Sequence, residues 1–462
     1  MEFVVGILLL LTFFGLAYYC IKGHNLMIGF LIITILWTAL SFLGAAFASP
    51  EFLSTTAFYS NGEPVKAIAI LNKIYQSAPE GWGTTLVNVC WGAWFGRVLM
   101  ETGIASTLIR KTVELGGDNP MVTIALLNIV TAIIFTAMTG AGPVIAIGVI
   151  VLPIMMSLGV PKAIAMFSFM ESVAAGIYLN PVNFTQYRAF FIEIDEMPNF
   201  TLGWYAGKWG YAALVISVVV TTILAGFFLK KSKTSHAWAA QTRGASEQKD
   251  APLYTLILPI VPVVLKIWLD FSVIGGFVIA GFAALFLCGK MKGSFKENCQ
   301  LVNKLYYDGV VDTAPLVGFL LTLPMFNTCA SYASPYFKEV LGGIMPTNEY
   351  VVCALFAALS ILGFFRGPLT LYGCGAATLG VLSAVGHFSV PFLFCVFTIP
   401  ATTVNVGSCI TQSWIAWGLA YTKVESRDYL KLSIPFAYIC SILLYILTAF
   451  TVTGLGPEWF LS

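Results

Sequence analysis

The chain has 462 residues, of which 58% are hydrophobic and 10% charged, with a formal net charge of +2. Soluble domains carry roughly 25% charged residues, so an ordinary soluble fold is excluded and a multi-spanning, all-α membrane protein is described. The ten cysteines include no C-x-x-C pair, and the three histidines, His24, His236 and His387, are scattered. That argues against a metal centre, a disulfide framework or a catalytic constellation. The chain is read as not an enzyme and as needing no cofactor. No basic patch with interleaved aromatics suggests nucleic acid, and no nucleotide-binding motif suggests ATP-driven work.

Met1-Glu2 precedes an uncharged run from Phe3 to Ile21. Lacking a basic n-region and a small-residue cleavage site, it reads as a retained first span. Further apolar spans are predicted at 27–48, 84–101, 119–138, 144–158, 163–187, 204–229, 252–268 and 272–289. The last group lies at 309–327, 348–364, 369–386, 389–421 and 430–453. Against the ~20 residues a crossing helix needs, these make about 10–12 transmembrane helices plus two re-entrant hairpins. Ser49–Gly83 reads as a long polar loop, and Lys230–Ala251 as a Lys-rich loop dividing the chain. The predicted organisation is 1–83 as N-terminal spans and outer loop, 84–229 as a first repeat with hairpin 119–158, 230–308 as linking segments, and 309–462 as a second repeat with hairpin 348–386.

Lys and Arg favour the cytoplasmic side. Placing Lys22 and the Lys230–Ala251 loop there puts most of the 24 Lys and Arg residues inside. The acidic stretch Glu193, Asp195, Glu196 then falls outside. In this frame span 84–101 runs inward and span 309–327 runs outward, so the repeats are inverted in topology.

Two stretches carry the same pattern. Thr139-Gly140-Ala141-Gly142-Pro143 is followed by Asn180, 37 residues after the proline, in Asn180-Pro181-Val182-Asn183-Phe184-Thr185-Gln186. Arg366-Gly367-Pro368 is followed by Asn405, also 37 residues after its proline, in a segment holding Ser408, Thr411 and Gln412. Paired breaks at corresponding positions of two halves point to a transporter's binding site. Each Gly-Pro tip predicts a hairpin whose second helix aims its N-terminus at the site. Glycine permits close backbone approach, proline suits a first helical turn, and freed N–H groups attract anions. Asn180, Asn183, Thr185 and Gln186, with Thr370, Asn405, Ser408, Thr411 and Gln412, are candidates for substrate contact, or for Na⁺ through the carbonyls freed at the breaks. The bland alternative is hydrogen bonding between packed spans.

Arg366 is the one cation at a tip, and its guanidinium suits a carboxylate. Glu171, isolated at membrane depth, is the candidate for a coupling proton. Asp308 and Asp312, at the start of span 309–327, are weaker candidates, and His387 reads as an interface residue.

The inverted repeat, paired hairpins and broken helices resemble the ion transporter superfamily, which includes gluconate permeases, citrate–proton symporters and dicarboxylate carriers. Within Gly83–Lys162, the motifs Trp91-Gly92-Ala93-Trp94-Phe95-Gly96-Arg97, Thr102-Gly103 and Leu152-Pro153-Ile154-Met155 are similar to the gluconate permease type. The resemblance implies a homodimer held by a scaffold domain and a transport domain that moves like an elevator. The combined expectation is an inner-membrane secondary transporter of small organic anions coupled to H⁺ or Na⁺. A cation–proton antiporter on the same scaffold is the alternative.

Overall fold

The computed structural model describes residues 1–22, 24–54, 56–60, 63–117, 119–191, 197–232, 250–341, 343, 346–373, 375–456 and 459. The acidic stretch Glu193, Asp195, Glu196 and most of the Lys230–Ala251 loop lie outside the described residues. Apart from a two-residue ribbon pairing Tyr59–Ser60 with Glu63–Pro64, the fold is helical. The longer helices are α1 (Glu2–Ile21), α2 (Leu26–Phe47), α3 (Gly83–Glu101), α4 (Ile104–Gly116), α5 (Pro120–Phe135), α6 (Ala141–Ser157), α7 (Lys162–Ile177), α8 (Pro181–Arg188) and α9 (Tyr211–Lys231). They continue with α10 (Val261–Leu269), α11 (Val273–Leu287), α12 (Phe295–Leu341), α13 (Glu349–Ala358), α14 (Gly375–Val385), α15 (Val390–Ile399), α16 (Ser413–Thr422) and α17 (Ser426–Thr451).

Four helical stretches among the described residues are long and apolar enough to cross a membrane, or six if two sharply bent pairs each count as a span. Those pairs are α7 with α8, bent by 67°, and α13 with Ser360–Arg366, bent by 64°. Helices α1, α2, α9 and α17 expose apolar side chains such as Phe14, Ile35, Ile223 and Phe450, as lipid-facing helices do. By contrast α7 is buried from Ile164 to Ile177, and the chain is buried from Val390 to Ser408. The two broken segments are thus the centre of the molecule. Both predicted hairpin segments start on an asparagine: Asn119 caps α5 by accepting from Met121 N and Val122 N, and Asn348 caps α13 through Tyr350 N and Val351 N. A side-chain oxygen there satisfies N–H groups that the first helical turn leaves free.

Three sequence expectations need correction. The segment 49–83 is no polar loop over most of its length. Helical turns run from Ala67 to Gly81, because Ile70 and Ile74 bury one side of them. Asp308 and Asp312 do not open a span at 309; they lie within α12, a continuous helix of 47 residues. A helix of that length measures about 70 Å, more than twice the ~30 Å hydrocarbon core, so it cannot all stand along the membrane normal. Accordingly the opposite courses predicted for spans 84–101 and 309–327 are not seen where α3 and α12 touch. Trp91 meets Tyr306, Ala93 meets Gly309 and Arg97 meets Asp312, in parallel order.

Candidate functional site

The first tip is residues 136–140, between α5 and α6. Gly140 has φ 96°, open to glycine but strained for other residues, and passes directly into α6. Pro143 sits in the first turn of that helix and packs on Gly96 of α3. The helix N-terminus therefore faces the space beyond the tip, as the sequence predicts.

The second tip differs. Phe365 and Arg366 both have left-handed backbone, at φ 53° and 60°, a conformation that costs roughly 1–2 kcal/mol per residue. The tip is held by Phe365 N donating to Cys409 Sγ at 3.1 Å. Arg366 Nη1 donates to Tyr372 O at 3.3 Å. Gly373 is required, because a β-carbon there would overlap the Arg366 carbonyl. The helix expected directly after Pro368 does not form. The chain turns through 367–373, with Thr370 N on Gly367 O and Gly373 N on Thr370 O, and α14 starts only at Gly375. Conserving φ at a proline does not force a helix when the next residues find turn bonds of their own.

Both tips and both breaks meet at one cavity of ≈ 610 Å³. Of the predicted residues, Thr139, Gly140, Ala141, Asn183, Gln186, Arg366, Thr411 and Gln412 line it. Gln186 accepts from Tyr372 Oη at 2.6 Å, and its own Nε2 is buried without a hydrogen-bond partner, as is Asn183 Oδ1. Arg366 Nη2 donates to Gln412 Oε1 at 3.2 Å. The first break thus touches the second tip through Gln186 and Tyr372, and the second break touches it through Gln412.

The others lie elsewhere. Asn180 is fully buried behind the first tip. Its Nδ2 donates to Phe135 O at 3.1 Å and Met138 O at 3.0 Å, while Oδ1 accepts from Val182 N at 2.9 Å and Asn183 N at 3.2 Å. Pro181 drives Asn180 out of helical backbone, and the amide then caps α8 and ties it to the end of α5. Thr185 is on the opposite side of α8, lining a second cavity of ≈ 480 Å³ with Arg188 and Lys266. Gly142 sits against Asp312. Gly367, Pro368 and Thr370 build the second tip, Pro368 O accepting from Thr378 Oγ1 at 2.6 Å.

Asn405 is not the structural counterpart of Asn180, although both follow their proline at the same distance. The second break falls at 409–412, after a wide, π-helical stretch Pro400–Ser408, and Asn405 lies inside that stretch. Gln412 occupies the position before α16 that Asn180 occupies before α8, but it makes no cap and turns to Arg366 instead. The Asn405 amide is fully buried with neither polar atom bonded. Glu171, also fully buried, accepts from Ser408 Oγ at 2.7 Å through one oxygen, while its Oε2 has no partner.

Sequence reasoning missed His24, Asn25, Thr313, Tyr372 and Trp414 and held Asp312 only as a weaker candidate, and all six are on the cavity wall. Asp312 had a signal: it and Arg97 are opposite charges within apolar helices, where a charge seeks a partner. Arg97 Nε and Nη2 grip both Asp312 oxygens at 2.6 Å. His24 and Asn25 had none, because nothing local tells which turn a distant hairpin will face.

The sequence model of the DcuC family, C4-dicarboxylate anaerobic carriers, matches residues 89–291. That is less than half of the chain and holds the first tip, Glu171 and the first break, but neither Asp312 nor Arg366. No curated protein sequence matches the chain. Among solved structures, the fold is similar to that of the Alcanivorax borkumensis YdaH transporter, a crystal structure described as having an unusual topology. The TM-score is 0.58 at 13% identity, covering 92% of this chain and 98% of that one. Neither similarity is to an enzyme; the chain is a multi-pass membrane protein with the fold of a transporter.

Proposed function

We propose that the chain is a secondary carrier of small organic anions and that dicarboxylates are its substrates. One observation carries the reading: Arg366, the unpartnered Nε2 of Gln186 and the N-terminus of α6 line a single cavity. A guanidinium fork takes a carboxylate bidentately. A helix N-terminus offers free N–H groups and the positive end of the dipole. A buried amide N–H without an acceptor calls for one. The partial likeness to C4-dicarboxylate carriers supports diacids ahead of sugar acids and hydroxy-carboxylates.

The cavity wall includes His24 and Asn25 of the α1–α2 turn. That turn carries Lys22 and is read as cytoplasmic, so we take the cavity to open inward and the membrane to be the inner (plasma) membrane. A homodimer with elevator motion of the two hairpins and the buried centre is the working scheme. Glu171 is proposed to carry a coupling proton, with Na⁺ at the freed carbonyls as the rival. Among the described residues Glu171 has no ion pair, and a carboxylate charge there would lack compensation.

Uptake of labelled succinate, gluconate and citrate into proteoliposomes tests the carrier reading. Succinate uptake is expected, and failure to bind or carry any of the three sinks it. For coupling, Glu171→Gln should abolish uphill accumulation under a pH gradient and preserve succinate exchange, since an amide cannot release a proton. Accumulation that persists in Glu171→Gln removes Glu171 from the mechanism.

A further inference from the structure

Asp312 is an acid on the wall of a cavity read as taking anions, and anion carriage by itself gives it no work. Its carboxylate is held at both oxygens by Arg97, each bond 2.6 Å. It lies against Gly142 in the first turn of α6, where a β-carbon would overlap it. Gly140 and Ala141, one step along the same turn, line the cavity beside it. A guanidinium fork at a helix N-terminus is chemistry that recognises a carboxylate. Here a carboxylate already sits on the fork and against the first turn of the helix, and the protein supplies that carboxylate. A separate observation points to a ligand on the same wall: Gln186 Nε2 is buried and without a partner.

We propose that Asp312 stands in for a substrate carboxylate. In the empty cavity it fills the seat between Arg97 and the α6 N-terminus. When a dianion binds with one carboxylate on Arg366, its second carboxylate displaces Asp312 from that seat. The proposal rests on the anion-carrier reading and deepens it, because it makes Asp312 the residue that separates dianions from monoanions. With Arg97 held by Asp312, the guanidinium that lines the cavity is that of Arg366, and it suits a single carboxylate. Releasing Arg97 supplies the second cation, and Asp312 has somewhere to go, its side chain being 16% exposed. An acid competing for the seat weakens dianion binding and leaves monoanion binding alone. A purely structural use of the same pair, as a rivet between α3 and α12, makes the opposite forecast.

The test is calorimetric titration of the purified full chain with succinate and with butyrate, which has the same carbon count and one carboxylate fewer. Asp312→Asn should tighten succinate binding by about tenfold and leave butyrate within about twofold, as expected when one charge-assisted contact becomes free. Adding Arg97→Gln to Asp312→Asn should cancel the gain. Unchanged or weaker succinate binding by folded Asp312→Asn overturns the proposal and leaves the rivet. Should Asp312→Asn fail to fold, Asp312→Ser and Asp312→Ala free Arg97 in the same way with a smaller side chain against Gly142. Succinate should then bind more tightly than to the wild type, and no gain overturns the proposal. Wild-type protein that binds neither acid would instead strike at the carrier reading itself.

Discussion

The two broken segments each carry an asparagine at the same distance from the tip proline and use it in opposite ways. At the first break the backbone frees two N–H groups of α8, and facing them are one carbonyl at the end of α5 and one in the first tip. The Asn180 amide meets all four. At the second break the freed carbonyls are taken by other side chains. Trp414 Nε1 donates to Val406 O at 2.9 Å, Tyr429 Oη to Gly407 O, and Ser433 Oγ to Ser408 O at 3.3 Å. Asn405 is left with nothing to bond, and Gln412 is released to hold Arg366. Spacing in sequence does not assign a role; the backbone groups that a break exposes do. The first break is a clasp that shapes its tip, and the second is part of the cavity wall.

The largest expected effect tests the clasp. Asn180→Ala strands two carbonyls and two N–H groups in a buried place. Each stranded group costs about 1–3 kcal/mol, partly relieved by local relaxation, so a loss on the order of 3 kcal/mol or more is expected. Thermal unfolding of the purified variant reads it. A variant that melts like the wild type would mean that α8 and α5 do not depend on this amide, and the contrast between the breaks would collapse.

Next comes the wall. Arg366→Ala should weaken succinate binding by about 10–100-fold, the range of a charge-assisted contact at about 1.5–3 kcal/mol. Arg366→Lys should fall between, since an ammonium keeps the charge and loses the fork. Melting should change little in either variant if Arg366 serves the ligand first. The reverse pattern, normal binding with lost stability, would make the second tip a clasp like the first.

Much of this was legible in the sequence for a physical reason. Glycine and proline at 140–143 and 367–368 restrict the backbone whatever surrounds them, so both interruptions of the helical chain were visible. Arg366, Gln186 and Gln412 are costly inside an apolar run and so announced themselves. What stayed hidden depends on long-range packing. Asp312 looked like the edge of a span because its neutraliser, Arg97, is 215 positions away. The second helix start slipped to Gly375 because turns at Thr370 and Gly373 compete with it. The seven-residue offset from Asn405 to Gln412 at the second break arose with a π-helical stretch, which has no local signal comparable to proline.

The smallest expected effect is also the sharpest against the first. Asn405 is as deeply buried as Asn180, but its amide has no partner. Desolvating an unpaired amide is unfavourable by about 1–3 kcal/mol. Asn405→Ala removes that penalty and leaves a small void, which costs a similar amount through lost packing. The two terms oppose one another, so stability within about 1 kcal/mol of the wild type is expected. Thermal unfolding of Asn405→Ala beside Asn180→Ala decides it. If both fall equally far, Asn405 has a partner in the folded protein and the equal spacing regains its meaning. If Asn405→Ala is stable yet carries no succinate, the amide is kept for the ligand or the coupling ion at another stage of the cycle, and the second break belongs to the site along its whole length.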